Sequence, residues 1–332
     1  MTNLVHKPLL DTIEPEAIAE LLDRREAIKR GAKVSSGVAA ALALGSLPIG
    51  LAALSGEVYA QGTAPTIRSV LEFAFLLENL EAEFYKAVLG TATGTGAAAA
   101  NAAFNTVRAT FNATETATIT KIRDNEIAHV NFLRTQITAN GGAPSKEFTP
   151  ADFDFTGGNG SGTGPFAPAT TDKAFLLAVT QGFEDTGVRA YKGQAGFLMS
   201  NDTILQAALG IHSVEARHAS KIRRMRRMAG APEVVRYSGT IRGGGSAAAG
   251  ATGSPPAAVV AAFEAIYGGA TPESNTTHTV HNGTTTANIT AAQITGLNDV
   301  GGNNALQEAF DEPLTRAEVE AIVAPFVVGT TP

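Results

Sequence analysis

A four-residue pattern, Glu-x-x-His, occurs twice in this chain, at Glu126–His129 and at Glu215–His218. At 3.6 residues per turn, a spacing of three places the carboxylate and the imidazole on one face of a helix, where both can bind the same metal ion. The chain has no cysteine, so oxygen and nitrogen are the ligand atoms that it offers. The doubled pattern therefore predicts two metal ions held between two helices.

Two glutamates and two tyrosines extend the pattern to other apolar stretches. Glu78 is followed seven residues later by Tyr85, and Glu184 is followed seven residues later by Tyr191. The tyrosines either hydrogen-bond to ligand carboxylates and pass electrons, or simply fill the core. Four carboxylates among Phe and Leu side chains cannot all stay ionised unless cations offset their charge. The sequence thus predicts a six-ligand metal site, formed by Glu78, Glu126, His129, Glu184, Glu215 and His218.

Two neighbouring residues leave the ligand set open. Glu81 lies one turn after Glu78 on the same helix face and can replace or supplement it as a ligand. Gly187 occupies the equivalent position in the second half, and this symmetry favours Glu78. His212 precedes Glu215 by three residues, and it is either a donor to a ligand carboxylate or an ordinary helix histidine. We therefore do not count His212 among the ligands.

Apolar residues recur at spacings of three and four along four segments, which predicts four helices. These helices are expected over residues 66–89, 101–139, 172–199 and 203–229. The connection over residues 141–171 is long enough to run the length of a bundle, whereas the turn at Ser200–Asp202 is short. The predicted fold is all-α, a four-helix bundle with a long crossover between helices 2 and 3.

The N-terminal residues differ from this central part in composition. Arg24-Arg25 precedes an Ala/Gly/Leu-rich run from Val38 to Leu54, and Val58-Tyr59-Ala60 follows as a cleavage site of the small-x-small type. The apolar run is shorter than about 20 residues and is interrupted by glycine and proline, which favours a cleaved signal over a membrane anchor. The segment resembles a twin-arginine export signal. This implies a periplasmic or extracellular protein with no stable membrane span after cleavage.

The residues after the fourth helix are rich in Gly, Ala, Ser and Thr. A short helix near Pro256–Tyr267, a hairpin with Asn282-Gly283 at its turn and a last helix near Thr315–Phe326 are the predicted elements. We expect an irregular C-terminal extension that packs on the bundle. The predicted division is a signal peptide over 1–60, the bundle with its di-metal site over 61–230, and the extension over 231–332.

A basic run over residues 221–227 ends the fourth predicted helix. Cations are expected at a helix C-terminus because they interact favourably with the helix dipole. The chain as a whole carries a net charge of −6, and export would separate it from the genome. We therefore do not expect nucleic acid as a partner.

The segment Leu77-Glu78-Asn79-Leu80-Glu81-Ala82-Glu83-Phe84-Tyr85 resembles the ferritin-like superfamily. Within it, the segment is similar to bacterial ferritin-like proteins related to plant desiccation-related proteins. The resemblance covers roughly residues 66–229, with a weaker match at Phe310–Thr315. It implies that Glu126 and Glu215 bridge two metal ions, that Glu78 and Glu184 each cap one ion, and that His129 and His218 each bind one.

The resemblance also implies a chemistry. We expect two divalent ions, iron first and manganese as the alternative, with Fe²⁺ and O₂ or H₂O₂ as reaction partners. The expected function is ferrous oxidation in protection against oxidative or desiccation stress. The alternatives are a structural stress-protective protein whose metal site does not turn over, and a peroxide disproportionation like that of manganese catalases. The export signal and the extension argue against a hollow iron-storing cage, while a homo-oligomer is compatible with the sequence.

Overall fold

A computed structural model describes residues 65–229, 257–268, 272–281, 286–294, 296–300 and 302–329. The predicted export signal lies outside these ranges. Four long helices form a bundle, with two short helices between the first and the second long one. The six helices are α1 (Ile67–Leu89), α2 (Ala97–Ala103), α3 (Asn105–Arg108), α4 (Ala113–Ala139), α5 (Lys173–Ala195) and α6 (Asp202–Met228). The prediction of an all-α bundle is confirmed.

The four long helices form two antiparallel hairpins. Helix α1 packs along α4, and Arg68 near the start of α1 donates to the carbonyl oxygen of Ile137 near the end of α4. Helix α5 packs along α6, and Asp185 on α5 pairs with Arg223 near the end of α6. The hairpins then meet through α1 with α5 and α4 with α6. Residues from all four helices therefore converge on the centre of the bundle.

Side-chain caps fix where the long helices begin. Thr66, Asp172 and Asn201 each accept a hydrogen bond from the backbone N–H three residues later. Asn112 forms a reciprocal capping box with Glu115, which starts α4 at residue 113. The predicted start of this helix at residue 101 is therefore wrong. The buried side chains of Phe104 and Val107 suggested one continuous helix, but they lie in the α2–α3 segment.

The long crossover after α4 is ordered by one buried carboxylate. Asp154 accepts hydrogen bonds from the backbone N–H groups of Thr156 at 3.0 Å and of Gly160 and Gly162 at 2.9 Å. These bonds hold the pKa of Asp154 below its usual range, although burial alone would raise it. Phenylalanines of the crossover join the core of the bundle, namely Phe153, Phe155 and Phe166. The crossover is therefore part of the packed structure.

The described part of the C-terminal region comprises short elements. They are α7 (Ala257–Tyr267), an antiparallel pair of strands β1 (Thr277–His281) and β2 (Thr286–Thr290), α8 (Asn303–Ala309) and α9 (Arg316–Val323). Val319, Val323 and Phe326 are buried in the same apolar cluster as the bundle. The backbone N–H of Asp154 donates to the carbonyl of Phe326 at 2.8 Å, so the extension also pairs with the crossover.

A buried arginine anchors this extension to α5. The side chain of Arg189 is 1% exposed, and its Nε lies 3.0 Å from a carboxylate oxygen of Glu273. The same guanidinium group donates to the carbonyl oxygens of Ile266 and Glu312. Each of these contacts joins the bundle to a residue more than 70 positions later in the chain. A buried charged side chain thus adds a polar anchor to the apolar contacts of the extension.

None of the helices in the described ranges combines the length and the apolar character that a membrane span needs.

Candidate metal centre

The centre of the bundle holds all six of the predicted ligand side chains, and all six are buried. They form two overlapping groups, and within each group the potential ligand atoms lie within 4.8 Å of one another. Both groups contain Glu126 and Glu215. The first group adds Glu78 and His129, and the second adds Glu184 and His218.

The two shared glutamates each direct one oxygen towards each histidine. Oε2 of Glu126 lies 3.0 Å from Nδ1 of His129, and its Oε1 lies 2.8 Å from Nδ1 of His218. Oε1 of Glu215 lies 3.2 Å from Nδ1 of His129, and its Oε2 lies 3.9 Å from Nδ1 of His218. A carboxylate placed in this way can bind two ions at once. The arrangement suits the bridging role that the resemblance implies for Glu126 and Glu215.

The two remaining glutamates each face one histidine only. Oε2 of Glu78 lies 3.1 Å from Nδ1 of His129, and Oε2 of Glu184 lies 3.2 Å from Nδ1 of His218. The imidazole ring centroids are 6.5 Å apart. The geometry therefore repeats in the two halves, as the sequence pattern repeats.

Several polar atoms of this cluster are buried without a well-aligned hydrogen bond, although most of them lie 2.8–3.9 Å from a histidine nitrogen or a carboxylate oxygen of the site. They are Oε1 of Glu126, Oε2 of Glu184, both carboxylate oxygens of Glu215 and Nδ1 of His218. Buried polar atoms are nearly always satisfied in native proteins, so this concentration needs an explanation. Divalent ions bound by oxygen and imidazole nitrogen would satisfy these atoms and offset the carboxylate charge. The donor set thus fits a di-metal carboxylate site.

Burial and mutual repulsion change the protonation of the carboxylates. Burial raises the pKa of Glu126 to about 7, although hydrogen bonding to both histidines opposes the increase. The pKa of Glu215 is raised well above its ordinary value by burial and by the negative charges of Glu126 and Glu78. The cluster therefore retains protons when no metal is bound.

The pKa values of the two histidines are raised as well, but by the neighbouring carboxylates and against the effect of burial. Burial alone would lower the pKa of His218, but the nearby carboxylates of Glu184 and Glu126 raise it to about 11. The pKa of His129 is also raised, because hydrogen bonds to Glu126, Glu215 and Glu78 outweigh its burial. In the absence of metal both imidazoles carry protons at neutral pH and partly balance the carboxylates. A metal ion that binds here must displace those protons.

Each of the two tyrosines hydrogen-bonds to a glutamate of the other half of the chain. The hydroxyl of Tyr191 donates to Oε1 of Glu78 at 2.6 Å, and the hydroxyl of Tyr85 donates to Oε1 of Glu184. Both tyrosines are buried. The sequence suggested a contact with ligand carboxylates but not this crossing between halves. Spacing along one helix reports its own face and carries no information about which helix lies opposite.

Glu81 belongs to the same buried environment but to neither ligand group. Its side chain is 5% exposed, and burial together with the charges of Glu215, Glu184, Glu126 and Glu78 raises its pKa. A Cβ atom on Gly187 would lie 3.5 Å from Oε1 of Glu81 and 3.4 Å from Oε2 of Glu215. The side chain of Glu81 therefore reaches the space that the glycine leaves beside the site. His212 is likewise in neither group.

We expect the replacement of either tyrosine by phenylalanine to weaken metal binding without abolishing it. The change leaves Glu78 or Glu184 with one buried oxygen that has lost its donor. Removal of a hydrogen-bond partner behind a metal ligand typically lowers the affinity about 10- to 100-fold. Competition with a metal-sensitive chelator would measure this for Tyr85→Phe and Tyr191→Phe, and thermal unfolding of the metal-free variants would control for folding. Unchanged affinity in both variants would assign the tyrosines to packing alone.

Comparison with known families assigns the bundle to a class. The family model described as a ferritin-like domain matches residues 67–228, which run from the first residue of α1 to the last residue of α6. This segment contains all six predicted ligands. This part of the chain is therefore similar to a ferritin-like domain, in agreement with its helical bundle. Neither the curated proteins nor the solved structures give a match to the chain, so the predicted relation to desiccation-related proteins stays a prediction.

Proposed function

We propose that this protein binds two ferrous ions in the bundle and oxidises them with O₂ or H₂O₂, as a protection against oxidative or desiccation stress. The observation that carries the proposal is the pair of shared carboxylates. Glu126 and Glu215 each present one oxygen to the position beside His129 and the other to the position beside His218. Two ferrous ions held together supply the two electrons that reduce O₂ to H₂O₂, or H₂O₂ to water.

The protein's own part in this chemistry is to position ligands and to exclude water. Tyr191 and Tyr85 hold one oxygen each of Glu78 and Glu184, which leaves the second oxygen of each glutamate turned towards a histidine. Leu80 and Phe84, on the same helix as Glu78, are at most 1% exposed, so this part of the helix lies in the apolar core. Low polarity around the site strengthens the interaction of its charges with bound ions.

The twin-arginine resemblance supports a place for this reaction outside the cytoplasm. We propose a periplasmic or extracellular protein that handles small amounts of iron. Manganese is the alternative metal, because carboxylate and imidazole ligands accept both ions.

Ferrous oxidation can be tested directly on metal-free protein prepared without oxygen. We expect that the addition of Fe²⁺ followed by O₂ or H₂O₂ gives oxidant consumption faster than in buffer. The control is Glu126→Gln with Glu215→Gln, which keeps the size of both side chains but removes both shared carboxylates. Equal oxidation rates for the protein and this variant would refute the proposal.

The same measurement separates the alternatives. A stress-protective protein with a metal site that does not turn over would bind the metal but consume no oxidant. A catalase-like protein would release O₂ steadily from peroxide when loaded with manganese. Oxidant consumption that depends on Fe²⁺ and on the shared carboxylates is expected from the proposed function alone.

A further inference from the structure

The two histidines of the site have different surroundings. A solvent-open pocket of about 530 Å³ lies between α4 and α6, and His218 forms part of its wall. Three cationic side chains, Lys121, Arg217 and Lys221, line this pocket, and none of its lining residues is acidic. All three cations are exposed. Both ligand histidines keep a small exposed area, and that of His218 faces this basic pocket.

The pseudo-symmetry of the bundle provides an internal comparison. The two Glu-x-x-His patterns are 89 positions apart, so each cation has an equivalent in the other half of the chain. Phe132 corresponds to Lys221, Ala128 to Arg217 and Gly210 to Lys121. None of these equivalents is charged. The ligands repeat between the halves, but the charges around them do not.

A second cavity, near the equivalent positions of the other half, has a mainly apolar lining. Its volume is about 20 Å³, and its lining includes Phe132, Ile211 and Tyr191. Such a space is large enough for about one water-sized molecule. The pocket beside His218 is therefore the larger and the more polar of the two.

We propose that the basic pocket beside His218 binds a small oxyanion, a molecule with phosphate or carboxylate groups, at the entrance to the metal centre. Lysine and arginine side chains bind such groups through charge-assisted hydrogen bonds. A concave wall concentrates the positive electrostatic potential of the three cations. The chain as a whole has a net charge of −6, so this positive potential is a property of the pocket and not of the whole protein. The role of this anion in a reaction rests on the proposed function, whereas its binding does not.

The pocket also bears on how iron would reach the site. The three cations disfavour a free ferrous ion at the entrance, because like charges repel, although the buried carboxylates of the site attract it. A ferrous ion bound by a polycarboxylate carries negative charge and is attracted instead. The class of substrate that suits this entrance is therefore an anionic iron complex.

Titration calorimetry on the full-length, metal-free protein tests the anion site without any oxidation chemistry. The probes are inorganic phosphate and citrate, each added to the protein and to Lys121→Gln with Lys221→Gln. We expect this variant to bind the anion about tenfold more weakly or worse, since two charge-assisted contacts are lost. The matched control is Arg224→Gln with Arg227→Gln, which removes two exposed cations of α6 that do not line the pocket. The control should retain the affinity.

The outcomes separate the possibilities. Binding of only one of the two probes supports the site if the pocket variant loses that binding. The probe that binds then shows whether the pocket prefers phosphate or carboxylate groups. Equal weakening in both variants, or no binding of either probe, overturns the proposal. If anion binding persists but ferrous oxidation is not observed, the proposed function fails and the anion site stands.

Discussion

Replacement of Glu126 by glutamine is expected to cost the protein both metal ions, whereas replacement of His129 by alanine costs only one. Glu126 belongs to both ligand groups, as does Glu215, while His129 belongs to one. An amide is a much weaker ligand than a carboxylate for a divalent ion and brings no negative charge. Elemental analysis after metal loading and desalting would count the ions that remain bound.

Three further variants serve as controls for this metal count. Glu215→Gln should repeat the result for Glu126→Gln, and His218→Ala should repeat that for His129→Ala, each leaving the other group intact. His212→Ala removes a histidine of the same helix that is in neither group and should retain two ions. If every variant lost the same amount of metal, the assignment of shared and unshared ligands would be wrong.

The replacement of Arg189 by alanine is expected to lower the free energy of unfolding by about 3–5 kcal/mol, the range for breaking a buried ion pair by removing one partner. Glu273 is 2% exposed, so its carboxylate stays buried without the cation beside it. The carbonyl oxygens of Ile266 and Glu312 lose a donor as well. Urea denaturation of the full-length protein would measure the loss.

A second variant guards against a general loss of folding. Arg189→Met with Glu273→Gln removes both charges and should recover part of the stability, because no buried carboxylate is then left uncompensated. Arg224→Ala removes an exposed arginine and should change the free energy of unfolding by no more than about 0.5 kcal/mol. A similarly small effect of Arg189→Ala would mean that the extension does not depend on this contact.

The sequence was sufficient to predict the bundle and to select the side chains at its centre, because both follow from helical periodicity. Glu126 and His129 share a face whatever the rest of the fold does, and Glu215 and His218 repeat the pattern. The start of α4 could not be predicted from periodicity. Phe104 and Val107 continue the apolar spacing, but the capping box at Asn112 starts a new helix after them. Local periodicity therefore overestimated the length of that helix.

Features that depend on contacts between helices could not be predicted from the sequence. The crossing of Tyr85 to Glu184, and of Tyr191 to Glu78, requires knowledge of which helix faces which. Nothing in the sequence distinguishes Lys121, and Lys221 belongs to a basic run that a helix C-terminus explains. Their common pocket appears only when α4 and α6 are placed side by side. Arg189 likewise gave no signal, because its partners lie far away in the chain.

The arrangement of the four helices as two hairpins has a consequence for the order of folding. Helix α1 and α4, and likewise α5 and α6, pair across shorter chain separations than those that join the two hairpins, and local contacts form at lower entropic cost. The hairpins then have to come together over a layer of buried glutamates, where like charges oppose their approach. Retained protons and the two imidazoles reduce that repulsion in part, and we expect bound divalent ions to reduce it further, so that refolding followed by stopped-flow should be faster with metal than without it.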